Sequence, residues 1–204
     1  MKEIEKMLLG KIYDPSDEEI YSLRHRAHEL CLAFNQLDEE DPKRKEIIEE
    51  LLNAKENLPF FQGPIYFDYG RFTKWGKNCF ANFNLTVLDI SPVTIGDDVF
   101  IGPNVSIVTP VHPYLPKERA LYQNEKGVLT DKEYSKPITI GKGTWIASNV
   151  TIIGGVTIGE GCVIGAGSVV TRSIPPFSLA AGNPCRVVRK ITEEDSIYLK
   201  KELF

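Results

Sequence analysis

A single histidine, His112, stands in the segment TPVHPYLPKER, and no other histidine occurs beyond the first 30 residues. An imidazole changes charge near neutral pH, which suits it to take a proton from a hydroxyl; the plainer reading is a loop histidine bonded to its neighbours. One histidine cannot make a metal site, so none is expected. His25 and His28 lie three apart beside Glu29, a weak metal-like spacing that reads first as a solvated helix face. Thr171 and Arg172 are followed by Arg186, Arg189 and Lys190, a basic end on a chain of net charge −4. It is either a solvated terminus or a place where arginines meet phosphate oxygens. No GxxxxGK[ST] or GxGxxG occurs, so phosphates are not held by a nucleotide loop. Ala147 and Ser148, in TWIASN, stand where a repeated glycine is expected. They are either a tolerated corner substitution or a backbone N–H or hydroxyl facing a ligand. Asp68 and Asn82 add polar groups at early turns. No cysteine or serine has an evident histidine partner, so a nucleophilic triad is not expected.

The elements that must position these residues come from a repeat. From Val93 to Ile174 the chain runs in blocks of six: VTIGDD, VFIGPN, VSIVTP, then ITIGKG, TWIASN, VTIIGG, VTIGEG, CVIGAG and SVVTRS. The third residue is Ile or Val, and glycine usually follows. Units this short cannot bury an apolar face alone and must stack on one another. Read in phase, they predict three columns: Trp75, Ile95, Ile140 and Ile158; Ala81, Ile101, Ile146 and Ile164; Val87, Ile107, Ile152 and Val170. Three columns mean a coil of triangular section with three short strands per turn. The Gly and Asn residues after each apolar position suit corners, where positive φ is often needed. Two extra residues fall near Leu88–Pro92. Ile107 and Ile140 are 33 apart where six are expected, so residues 110–136 must leave the coil as a long loop carrying His112 at its root.

Residues 1–58 lack the repeat and read as a helical cap. Ser16 or Asp17 caps a helix with Ile20, Leu23, Ala27, Leu30, Cys31 and Phe34 on one face, and Asp41-Pro42 starts a second with Ile47, Ile48, Leu51 and Leu52. Residues 59–190 carry the coil. Residues 191–204 form a tail expected to be helical. The content, 42% hydrophobic and 25% charged, is ordinary globular material. The negative charge argues against nucleic acid, and no membrane span or leader is visible. Four scattered cysteines suit a reducing cytoplasm better than disulfides or zinc.

The cap KMLLGKIYDPSDEEIYSLR, then FANFNLTVLD, VTIGDDVFIGPNV, HP followed by ER, KPITIG, TWIASNVTI, GVTIGEGCVIGAGSVVT, IPP and AGNPCRV occur in one order. Along nearly the whole chain this resembles the maltose and galactoside O-acetyltransferases. The resemblance implies a mainly β fold, a left-handed parallel β-helix with a small N-terminal α-helical cap. It implies acetyl-coenzyme A as donor, a sugar hydroxyl as acceptor, and a homotrimer with active sites between neighbouring prisms. It matches His112 to the general base, Asn82 to a residue near the reacting carbon and acceptor, and Asp68 to an acceptor-side position. Ser148, Ala166, Thr171, Arg172, Arg186 and Arg189 match the coenzyme-A contacts. The sequence departs from the family in ALYQNEKGVLTDKEY, which lengthens the loop, and in Ile90, where some members carry an acid and Asp89 is adjacent. The acidic contact of the cap is Asp14 or Asp17.

The expected reaction is direct transfer. His112 takes the acceptor proton, the oxygen attacks the thioester carbonyl, and Asn82 or the Ser148 backbone holds the oxyanion. Two rivals remain: an acetyltransferase for an antibiotic-type hydroxyl, which shares the coil and a loop histidine, and a non-enzymatic β-prism scaffold.

Overall fold

The computed structural model describes residues 1–203. The six-residue blocks become strands of two to four residues that turn through three corners per coil and pair with the coils above and below. One face holds Thr73–Trp75, Val93–Ile95, Ile138–Ile140 and Thr157–Ile158. A second holds Phe60–Phe61, Phe80–Ala81, Phe100–Ile101, Trp145–Ile146, Val163–Ile164 and Ser178–Ala181. The third holds Ile65–Phe67, Leu85–Leu88, Ser106–Val108, Thr151–Ile153 and Val169–Val170.

The pairing is parallel, and its register follows the expected columns. Trp75, Ile95, Ile140 and Ile158 align. So do Ala81, Ile101, Ile146 and Ile164, and Val87, Ile107, Ile152 and Val170. The stack starts one coil earlier than the readable repeat, with Phe61 on Ala81 and Phe67 on Val87. It closes with Ala180 on Ile164 and Ile174 on Ile158. All these side chains are buried. Burying each Ile contributes roughly 1.5–3 kcal/mol, so the prism is held by its axis.

The corners divide two jobs between two positions. Positive φ falls three residues after the inward residue, at Asn78, Asn84, Asp98, Asn104 and Asn149, not at the glycine that follows it directly. That glycine is needed for space. A Cβ on Gly96 would lie 2.5 Å from the Lys142 nitrogen of the next coil, and one on Gly102 would lie 2.9 Å from Ala147 and Ser148 backbone atoms. The corner containing Gly102 is the looser of the two, and it is there that Ala147 replaces glycine.

The cap contains three helices, one more than the sequence showed: α1 (Glu3–Leu8), α2 (Glu18–Asn35) and α3 (Lys43–Leu52). Asp17 caps α2, accepting from the Glu19 and Ile20 N–H groups. Helix α2 buries Ile20, Ala27, Leu30, Cys31 and Phe34, and α3 buries Ile48, Leu51 and Leu52. Met7, Tyr13 and Ile20 pack with Tyr69 and Ile90 in a small core of their own, which clamps the N-terminus onto one edge of the prism. No described helix is long and apolar enough to cross a membrane.

The excursion is not structureless. Pro110–Val111 pairs antiparallel with Tyr134–Ser135, Tyr122–Gln123 pairs with Leu129–Thr130, and Pro116–Arg119 makes one helical turn. The tail corrects the expectation of a helix. Arg186–Lys190 is a strand antiparallel to Ser178–Ala181. Beyond it lie three separate 3-10 turns, Glu193–Asp195, Ile197–Leu199 and Lys201–Leu203. Ser196 and Lys200 leave helical backbone angles between them, and 3-10 turns rarely run longer than three or four residues. Phe204 lies outside the described residues.

Candidate active site

The coil leaves its six-residue rhythm at the edge joining the third face to the first. Here Asp68 follows Phe67, Leu88 follows Val87, and Thr109 donates its N–H to the Leu88 carbonyl. The wider turns need internal wiring. The fully buried Asp89 accepts from the Tyr69 N–H at 2.9 Å, the Gly70 N–H at 3.1 Å and the Thr73 hydroxyl at 2.9 Å. Burial pushes its carboxyl up to about 6, against the pull of those donors. Asp89 is therefore a structural strut and not a free contact for an acceptor.

The excursion starts at this edge. Val111 pairs with Tyr134, which sets His112 across from Glu133. The imidazole Nδ1 lies 3.3 Å from Asp131 Oδ2 and Nε2 lies 3.6 Å from Glu133 Oε1, while the ring stays 47% exposed. The second Glu133 oxygen accepts a short hydrogen bond from the Tyr13 hydroxyl. Burial pushes the Glu133 carboxyl above its ordinary value, and Asp131 and Asp68 push it the same way, against Tyr13 and His112. Burial and the Glu133 charge push the Tyr13 phenol far up, so it stays a donor. Arg24 lies among Tyr13, Asp68 and Tyr69 and acts on all three through its charge.

Asp68 shares this cluster. Burial pushes its carboxyl up, against His28 and Arg24. His28 Nε2 lies 3.7 Å from Asp68 Oδ1, so this histidine is more than a solvated face, whereas His25 meets its own helix, Glu29 at 3.6 Å and the Tyr21 ring at 5.9 Å. Between the helix and the coil a cavity of about 380 Å³ is lined by His28, Leu32, Tyr66 and Asp68.

The two acidic candidates of the cap are both engaged. Asp17 caps α2. Asp14 accepts from Ser16, from Asn124 at 2.8 Å and from Thr130 at 2.7 Å. Burial alone would raise its carboxyl, but these donors outweigh it and hold it down at about 2. Asp14 is thus an anchor tying the excursion to the cap. Gly10 is the other: φ is +68°, and a Cβ there would lie 2.6 Å from the Ser135 carbonyl oxygen.

The remaining candidates fall elsewhere. Asn82, Ser148 and Ala166 lie on the edge joining the second face to the third, with Asn82 in the row of Gly102 and Ala147, one position before Ser148; the Asn82 N–H donates to the Ile101 carbonyl and the Ala147 N–H to that of Ile164. The Asn82 Oδ1 accepts from the Phe83 N–H at 2.7 Å, leaving the amide nitrogen as its outward group. The strand Leu85–Leu88 lies between the Asn82 corner and the edge from which the excursion leaves, so on one chain Asn82 and His112 belong to different edges of the prism. Thr171 and Arg172 are exposed on the edge that carries His112, and Arg186 is exposed on the last strand. Arg189 is already closed on Asp195, with contacts of 2.8 and 2.6 Å.

Sequence reasoning missed Tyr13, Arg24, Asp131 and Glu133, and a stripe of aromatics. Phe60, Phe80, Phe100 and Trp145 align on the outside of the second face, and successive Phe rings lie 5.9 and 6.0 Å apart. The signal was present: the residue before each inward position points outward, and it is aromatic here but Lys74, Thr94, Thr139 or Thr157 on the first face.

Comparison with known proteins places this geometry. Residues 6–55 match the maltose acetyltransferase hexapeptide capping motif, 137–172 the bacterial transferase hexapeptide of six repeats, and 92–112 the hexapeptide repeat of succinyl-transferase. The galactoside O-acetyltransferase of Escherichia coli (strain K12) is 41% identical over 97% of this chain and 94% of its own. The chain belongs to the maltose and galactoside O-acetyltransferase family. A maltose O-acetyltransferase from Clostridium difficile 630 superposes with a TM-score of 0.84 at 40% identity, covering 95% of this chain and 99% of its own. A hexapeptide-repeat acetyltransferase from Vibrio cholerae, complexed with acetyl coenzyme A, superposes with a TM-score of 0.82 at 36% identity, covering 95% and 100%. His112 is the last residue of one repeat match, and the excursion lies between it and the next.

Proposed function

We propose that this acyltransferase moves the acetyl group of acetyl-coenzyme A to a sugar hydroxyl, with His112 as general base. The observation that carries the assignment is an exposed imidazole flanked by two carboxylates, on a chain of this family. His112 removes the hydroxyl proton, the oxygen bonds to the acetyl carbon, the carbon–sulfur bond breaks, and the thiolate recovers the proton. The developing oxyanion is held by the outward amide of Asn82 or the Ser148 backbone N–H, and preorganised donors of this kind are worth roughly 10²–10³ in rate. Asp68 faces the acceptor side. Ser148, Ala166, Thr171, Arg172 and Arg186 hold coenzyme A, with Arg189 joining if it leaves Asp195.

We infer that three copies form a ring. The His112 edge and the Asn82 edge are separate on one chain, and a closed threefold ring sets one copy's edge against the other edge of the next. The exposed Phe100 and Trp145 stripe supplies apolar surface for such a contact. Four buried free thiols fit a cytoplasmic protein.

Family membership favours the enzyme over a scaffold, and nothing at the site favours an antibiotic acceptor over a sugar. Thiol release from acetyl-coenzyme A with a panel of sugars and an antibiotic hydroxyl, with product identification, tests the reading. A sugar is expected to be the better acceptor, and turnover with no sugar would overturn it.

A further inference from the structure

We propose that Asp131 and Glu133 are positioning residues: Asp131 keeps the proton of neutral His112 on Nδ1, and Glu133, held off by Tyr13, leaves Nε2 to take the acceptor proton; this rests on His112 being the base. Neutral imidazole has one N–H to give. Asp131 lies nearer to Nδ1, at 3.3 Å, than Glu133 lies to Nε2, at 3.6 Å. The first distance can tighten into a charge-assisted hydrogen bond when substrate binds. The second is too long for one, so Glu133 does not take Nε2, and the half-exposed ring leaves that nitrogen to an acceptor hydroxyl arriving from outside.

Glu133 is held back from closing that distance. Its other oxygen is bound to the Tyr13 hydroxyl, and the Tyr13 N–H donates to the Glu133 carbonyl at 3.3 Å. Tyr13 is in turn fixed by the small core under the cap. The groups facing the ring are Asp131 and Glu133 from the excursion, with Tyr13 behind them from the cap. Asp68 and Tyr69 from the coil edge and Arg24 from α2 form the next layer. Glu133 is 12% exposed and Asp131 26%, so water screens them incompletely.

Proton transfer to Nε2 makes an imidazolium between two carboxylates. That interaction is stronger in the transition state than in the ground state, so it raises kcat without tightening binding. The proton arrives at Nε2 from the acceptor hydroxyl and leaves it for the coenzyme-A thiolate, so the residue ends each turnover as it began.

Steady-state kinetics of the full chain test this with Asp131→Asn, Glu133→Gln and Tyr13→Phe. The first two are expected to lose about 10- to 100-fold in kcat, as a small misplacement of a base does, with both KM values within about twofold. Tyr13→Phe is expected to lose less, and Asp131→Glu to recover part of the rate. Nitrogen-15 NMR of neutral His112 is expected to show the Nδ1–H tautomer in the wild type and a shift toward Nε2–H in Asp131→Asn. Glu133→Gln keeps a partner for Tyr13; if it unfolds, the partly exposed Asp131 decides alone. Full kcat in Asp131→Asn, or an Nε2–H tautomer in the wild type, overturns the inference while an inactive His112→Ala leaves the base in place. An active His112→Ala overturns the base itself.

Discussion

Burial gives Asp89 a measurable signature. Its folded carboxyl sits at about 6, above the ordinary value of about 3.9 in an unfolded chain. Between pH 4 and 6 the folded chain therefore holds a proton that the unfolded chain has lost. The contribution of this group is fully present below that window and falls by about 3 kcal/mol as pH rises through it. Urea unfolding of Asp89→Asn across pH 4–7 is expected to show the variant gaining on the wild type as pH rises, then levelling above 6. A constant difference would contradict the burial argument. Among the arginines, Arg172→Ala and Arg186→Ala are expected to raise the KM for acetyl-coenzyme A about tenfold, the scale of one charge-assisted hydrogen bond. Arg189→Ala is expected to do less, because Asp195 already occupies that guanidinium, and Asp195→Ala is expected to lower the KM. His112 stands out in the sequence because it is alone in its region. Tyr13 and Glu133 were not, because 120 residues separate them and nothing local marks the pair.

The strands of the prism were legible to the register, because every coil repeats one requirement: an apolar residue inward, directly over its predecessor. Ile152→Ala, in the third column, is expected to cost roughly 2–5 kcal/mol in urea unfolding. Gly96→Ala is expected to cost more than Gly102→Ala, since its Cβ would meet the Lys142 backbone nitrogen at 2.5 Å against 2.9 Å for Gly102. Equal costs would show that the two corners are equally tight. The elements outside the repeat were much less readable. Helix α1 spans six residues, too few for an amphipathic pattern, and the excursion is built from two-residue ladders that carry no period. Their positions depend on distant partners such as Asp14 with Thr130. The tail has helix-forming residues but no face to bury, and it settles into separate turns.

At the scale of the whole molecule, the prism sets the residues proposed for the site on two edges. One carries His112 with Asp131, Glu133 and Asp68; the other carries Asn82, Ser148 and Ala166 beside an aromatic stripe. Light scattering is expected to give three times the chain mass, and Phe100→Lys with Trp145→Lys is expected to shift it toward monomer with loss of turnover. The most direct test is complementation between His112→Ala and Asn82→Ala chains, each inactive alone and then co-assembled. If one copy supplies His112 and the next supplies Asn82, random mixed rings of three recover about a quarter of wild-type activity. If both residues act from the same chain, or the enzyme works as a monomer, the mixture stays as inactive as its parents.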